Sequence, residues 1–119
     1  MKPSRRNELY LSVMLDAADA IEQFMDGVQK DDFAKDELRQ SAVIQKLSVI
    51  GVAAVQLSRS FWKQHPEINW RSIAKFRFIG LHKYFSSVDS SILWATVSKR
   101  IPALRKKVAQ ILGDTTNRS

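Results

Sequence analysis

Apolar residues recur every three or four positions over most of the chain, the spacing of amphipathic α-helices. They predict a first helix of about five turns that begins after an N-cap at Asn7 and stops at Gly27. The acidic residues 26–37 break this pattern, so we expect a connection there with a short helical turn at residues 31–34. A second long helix should bury a stripe formed by Val43, Leu47, Ile50, Ala54, Leu57 and Phe61.

The second helix contains the small residues 51–54, which would let a facing helix approach closely. Pro66 should end it, because proline disfavours helical geometry in the residue before it, and His65 is then expected in a loop. Asn69 can cap a third helix over residues 70–85.

The C-terminal part predicts two further helical segments. A polar turn at residues 86–90 precedes a fourth helix from Ile92, and Pro102 is expected to open a last segment that ends near Leu112. Residues 113–119 should form a frayed tail. No strand-like alternation is long enough to compete, so the predicted fold is all-α, an up-and-down bundle of four to five helices.

Composition adds limits to this picture. A chain of 119 residues with 45% apolar content suits a single domain over residues 1–119, with an ordered core at about 7–112. It has no apolar run of membrane-spanning length and no secretory start, so we expect a cytoplasmic protein without a membrane partner. Without cysteine, and with only His65 and His82 as histidines, we predict no metal site and no cofactor.

The net charge of +7 is unevenly distributed. Residues 1–57 hold 7 Lys/Arg against 9 Asp/Glu, giving −2, whereas residues 58–119 hold 12 against 3, giving +9. A surface this basic attracts nucleic acid by counterion release. The alternatives are that these residues only solubilise the terminal helices, or that they meet an acidic partner.

Candidate chemistry lies in the basic half, within residues 77–84. Arg77 can bind phosphate through its planar fork, and His82 can exchange protons near neutral pH. Five residues along a helix separate their faces by about 140°, so a bent arginine or a second copy of the helix is needed to aim both at one phosphate. The alternative is a surface arginine and a half-buried structural histidine.

Basic and aromatic residues also share one predicted stripe of the third helix. Arg71, Lys75, Phe78, His82 and Phe85 follow each other at spacings of 4, 3, 4 and 3 residues, and Lys83 adds a neighbouring charge. Such interleaving suits single-stranded RNA, whose bases stack and whose phosphates pair with cations. A contact stripe in a dimer explains the pattern equally well.

Several segments in unbroken order resemble the HepT-like branch of the HEPN superfamily. They are residues 10–11, 36–44, 51–54, 65–71, the R-x4-H-x-Y motif from Arg77 to Tyr84 with Phe85 after it, 92–97 and 101–104. The resemblance implies an all-helical homodimer that serves as the toxin of a toxin-antitoxin pair, with a small nucleotidyltransferase as the antitoxin. It also implies a metal-independent endoribonuclease that cuts tRNA or mRNA.

The same resemblance assigns roles within the motif. Arg77 and His82 would be the catalytic pair. The stripe, and not the resemblance, supplies the candidate RNA-binding residues Arg71, Lys75, Phe78 and Lys83 around them. Tyr84 would be the position that the antitoxin nucleotidylates, since an added AMP group blocks RNA by volume and charge.

Two positions depart from the family pattern and leave an alternative open. Phe78 stands where active members usually have Asn or Asp, and Val52 where relatives often have glutamate. Phe78 can stack on a base or pack across a dimer, but it cannot orient His82 by a hydrogen bond. The alternative is therefore a catalytically inactive helical module that binds a nucleotidyltransferase; an adaptor for an acidic partner would leave the motif unexplained.

Overall fold

A computed structural model describes residues 3–81 and 89–117, and these form helices without any strand. The α-helices are α1 (Arg5–Met25), α2 (Lys30–Lys35), α3 (Glu37–Gln56), α4 (Arg59–Gln64), α5 (Trp70–Ala74), α6 (Ser90–Ala95) and α7 (Ile101–Asn117). A 3₁₀ turn (Lys75–Phe78) follows α5, and a π turn (Thr96–Arg100) joins α6 to α7. The predicted all-α bundle is confirmed.

Helix α1 packs against both α3 and α7, and α5 with its 3₁₀ turn packs against α3. The apolar stripes of these helices meet in one core, in which each large side chain contributes about 1.5–3 kcal/mol by leaving water. Its most completely buried members include Leu11, Met14, Ile21, Phe33, Leu47, Ile50 and Val108.

Two predicted helix limits, at Gly27 and Asn69, are confirmed, whereas the third helix predicted over residues 70–85 is interrupted by the 3₁₀ turn (Lys75–Phe78). Gly27 has φ of 71° just after α1, a conformation that glycine adopts without strain. Asn69 caps α5 by accepting a hydrogen bond from the Ser72 amide at 3.2 Å. The short helix α2 lies where a turn of helix was expected, and His65 lies in the loop after α4.

Asn7 is not the N-cap of α1, contrary to the sequence prediction. Ser4 takes that role, since its hydroxyl accepts a hydrogen bond from the Asn7 amide at 3.1 Å. Asn7 is instead buried, and its side chain exchanges hydrogen bonds with the backbone amide and the hydroxyl of Ser58 at 3.2 and 3.3 Å.

The second predicted helix is two helices. Leu57 leaves helical geometry and Ser58 caps α4, accepting a hydrogen bond from the Phe61 amide at 3.2 Å. Leu57 and Phe61 remain buried on both sides of this corner, so the apolar stripe continues although the helix does not.

The last helix, α7, begins at Ile101, one residue before the predicted start at Pro102, but it continues the helical backbone of the π turn and runs past Gly113 to Asn117. The backbone stays helical from Ser90 to Asn117, and the wider π turn lies just before the proline. Proline lacks an amide hydrogen and its ring crowds the carbonyl one turn earlier, and a π turn relieves both effects.

Candidate functional site

The motif segment lies directly against helix α3, where a glycine makes room for it. A Cβ built on Gly51 would lie 2.3 Å from the Arg77 amide nitrogen and 2.9 Å from the Phe76 carbonyl carbon. Both are backbone atoms, so no side-chain movement can relieve the clash. Because residue 51 is glycine, α3 packs directly against the Arg77 backbone and fixes its position.

The π turn holds the same segment through Arg100. The Arg100 guanidinium lies 4.9 Å from the ring centre of Phe76, which is only 7% exposed. Its Nη2 donates a hydrogen bond to the Ser72 hydroxyl at 2.5 Å. The backbone that carries Arg77 is thus clamped between α3 and the π turn.

The Arg77 side chain is exposed but oriented. Its Nη1 donates to the backbone carbonyl oxygen of Ala74 at 2.8 Å, and its guanidinium lies 4.2 Å from the ring centre of Phe78. No ion pair joins it to an acidic side chain in the described part of the chain. Among the described residues the Ala74 carbonyl is the hydrogen-bond acceptor of this guanidinium, so most of its five N–H donors have no described partner.

The other described residues of the predicted RNA-binding stripe also reach solvent. Arg71 and Lys75 are exposed, and 42% of the Phe78 surface is accessible. In the 3₁₀ turn, side chains three residues apart eclipse each other, so Lys75 and Phe78 lie on the same side. His82, Lys83 and Tyr84 lie outside the described residues. The predicted angle of about 140° between the faces of Arg77 and His82 therefore stays a prediction.

An apolar hollow of about 770 Å³ lies beside the motif segment, between α1 and α3. Its lining runs from Tyr10 and Val13 across the outer face of α3 to Gly80. Val52 lines it and is 50% exposed, so this departure from the family pattern places an apolar side chain in the hollow.

Among residues 3–81 and 89–113, no group of three or more His, Cys, Asp or Glu side chains could hold a metal ion. Within the described helices, none combines the length and apolar character needed to cross a bilayer.

The sequence did not reveal the roles of Gly51 and Arg100 in this site. The small residues 51–54 predicted that a helix would approach closely, but not that the approach occurs over the Arg77 backbone. Arg100 lies 23 positions from Arg77 in the sequence and carried no signal of its own.

Comparisons with known proteins place the chain among ribonuclease-like relatives. The family model described as "Ribonuclease HepT-like" matches residues 14–111. A protein of Thermococcus cleftensis named "Probable ribonuclease HepT" is 38% identical over 111 residues, which cover 93% of this chain and 98% of the relative. A protein of Caldanaerobacter subterraneus, whose name begins "Putative RNase", is 34% identical over 103 residues, which cover 87% of this chain and 91% of the relative. No solved structure matches the chain significantly.

Proposed function

Because the chain belongs to the ribonuclease HepT-like family, we propose that it is an endoribonuclease in which Arg77 and His82 cleave RNA. The observation that supports this most is the exposed guanidinium of Arg77, which is oriented by the Ala74 carbonyl and the Phe78 ring and has most of its N–H donors without a partner among the described residues. A cation oriented in this way suits a phosphate whose charge grows in the transition state.

The reaction uses the 2′-hydroxyl of RNA as the nucleophile, so the proposal requires no metal ion. His82 removes the proton of that hydroxyl or protonates the leaving oxygen. Arg77 binds the phosphate oxygens through its fork. A second His82, from the other protomer of a homodimer, would complete an acid and base pair.

The homodimer has support from the apolar surface around the motif. Val52, Phe78 and Leu81 are 50%, 42% and 58% exposed, close in sequence to the residues that position Arg77. Together with the apolar hollow they form the surface that a second copy would cover, bringing two motifs to one cleft.

Regulation by a nucleotidyltransferase antitoxin is the finer part of the proposal. The antitoxin would transfer AMP to the Tyr84 hydroxyl, and the bulky anion beside Arg77 would exclude RNA. This makes the chain the toxin of a toxin-antitoxin pair. Tyr84→Phe should keep RNA cleavage but escape neutralisation, which co-expression with the antitoxin and mass spectrometry would detect.

An interaction module without turnover is the second candidate, favoured by the apolar side chains at Phe78 and Val52. Incubating the purified protein with tRNA and mRNA separates the two. Wild type should cleave, and His82→Ala should not, while its circular dichroism and melting temperature stay near wild type. If the wild-type protein cleaves neither RNA but still binds the nucleotidyltransferase and accepts AMP, the interaction module is the remaining candidate.

A further inference from the structure

The loop between α4 and α5 forms a second hollow, of about 820 Å³, which we name the α4–α5 pocket. Its lining comes from Arg59, Trp62 and Lys63 of α4, from the loop, and from Trp70 and Arg71 of α5. Three cations and two indoles thus converge on one concave surface, apart from the hollow beside Gly80.

The cations of the pocket are not neutralised by the described acidic residues. Arg59, Lys63 and Arg71 are all exposed, and none forms an ion pair in the described part of the chain. Glu67 belongs to the same loop, but its carboxylate Oε1 lies 3.2 Å from His65 Nδ1. A concave surface lined by one sign of charge raises the local concentration of polyanions.

The two indole rings that line the pocket are fixed in orientation. The Trp62 and Trp70 rings are nearly parallel, at 14°, with centroids 6.4 Å apart. Their N–H groups donate to the carbonyl oxygens of Ala54 at 3.1 Å and His65 at 2.9 Å, so neither ring is free to turn. Trp70 is 3% exposed, whereas Trp62 is half-buried and offers part of its surface to the hollow.

We propose that the α4–α5 pocket binds single-stranded RNA, with Arg59, Lys63 and Arg71 on its phosphates and one base against Trp62. This combination of a cationic groove and an aromatic platform is how strands are held without sequence preference. The proposal extends the RNA interface from the stripe on α5 to a second helix, α4.

The pocket lies within reach of the proposed cleavage site, and in this respect it rests on the proposed function. From Arg71 to Arg77 the α5 helix and the 3₁₀ turn rise by about 10 Å. A few nucleotides of an extended strand cover that distance. On the proposed function, a strand of this length joins the phosphate at Arg77 to the pocket.

Binding should be measured without cleavage, with a fluorescein-labelled oligonucleotide whose 2′-hydroxyls are methylated and cannot attack. Arg59→Ala combined with Lys63→Ala should weaken binding about tenfold, and should reduce the slope of log affinity against log salt by about 1.4. The control is Lys30→Ala combined with Lys35→Ala, which removes equal charge from the exposed side chains of α2 and should bind like wild type. Circular dichroism checks the folding of both.

Tryptophan fluorescence gives an independent readout. The oligonucleotide should quench wild-type emission as a base stacks on Trp62, and Trp62→Phe, which keeps an aromatic ring, should bind RNA but lose most of this quenching.

Pocket variants that bind the oligonucleotide with the affinity and salt slope of wild type would overturn the proposal. So would variants that keep RNA binding but lose the nucleotidyltransferase, which would make the pocket a protein interface. Wild type that binds through the pocket but cleaves no RNA would refute the ribonuclease and leave the pocket standing. If wild type cleaves RNA but the pocket variants bind the oligonucleotide as wild type does, the ribonuclease proposal stands and the pocket proposal is refuted.

Discussion

At the residue scale, the surroundings of Arg77 show what the sequence reveals and what it hides. The pattern identified Arg77 as a phosphate-binding candidate, but it offered base stacking or a dimer contact as the role of Phe78. Adjacent side chains do not face each other on an α-helix, so a contact between residues 77 and 78 is not expected from a helical pattern. It occurs here in the 3₁₀ turn.

This contact predicts how Phe78 variants behave. Phe78→Leu keeps an apolar side chain but loses the ring face under the guanidinium, an interaction of about 0.5–1 kcal/mol, so RNA cleavage should slow roughly two- to fivefold. Phe78→Tyr should cleave like wild type. Single-turnover rates at saturating protein make the comparison.

Phe78→Asn tests the departure from the family pattern at the same position. We expect it to be slower than wild type as well, since asparagine cannot replace the ring beneath Arg77. A rate above wild type would contradict this and would show that a polar group near His82 matters more than the contact with Arg77.

At the element scale, the apolar pattern predicted the helices better than their boundaries. The boundaries at Gly27 and Asn69 depend on the residue itself and its close neighbours in the chain, so the sequence predicted them. The corner at Ser58 was missed although its cap is local, because the apolar stripe continues through it; the hydrogen bonds with Asn7, 51 positions away, were not visible. The start of α7 beside Pro102 was also visible, but the π turn that keeps the backbone helical before it was not.

The close approach at Gly51 gives a prediction for helix α3. Gly51→Ala should destabilise the fold by about 1–3 kcal/mol, because the new methyl group must push the Phe76–Arg77 backbone away, and cleavage should fall with it. Gly113→Ala is the matched control, since its Cβ meets nothing within 4 Å. Chemical denaturation measures both; a Gly51→Ala variant as stable and active as wild type would refute the clamp.

The N-terminus of α3 gives a pH prediction. Hydrogen bonds from the Arg39 amide, and then from its side chain, hold the pKa of Asp36 below its ordinary value of 3.8. Asp36 therefore stabilises the fold above that value, and this contribution is lost as the pH falls through the lowered pKa. Asp36→Asn can still cap the helix, so its stability should fall less than that of wild type on acidification below about pH 5. Identical pH profiles in denaturation experiments would contradict the role of the Asp36 charge.

At the scale of the whole molecule, the apolar surface around the motif predicts a dimer. Light scattering at micromolar concentration should give twice the mass of the 13.6 kDa chain. Leu81→Glu, which places a charge on the apolar surface around the motif, where Leu81 is 58% exposed, should shift the protein toward monomer and reduce cleavage. Leu38→Glu is the control, since Leu38 is 83% exposed on the part of α3 away from Gly51. A fully active wild-type monomer would exclude the shared cleft.

The most direct test of the whole account is the single-turnover cleavage of one RNA by wild type and by Arg77→Lys, purified in parallel. Lysine keeps the charge but lacks the fork and the flat contact with Phe78, so the rate should fall by about 10²–10³ while the helical circular-dichroism spectrum is unchanged. Equal rates for the two proteins, or no cleavage by wild type, would contradict the assignment of Arg77 to the phosphate.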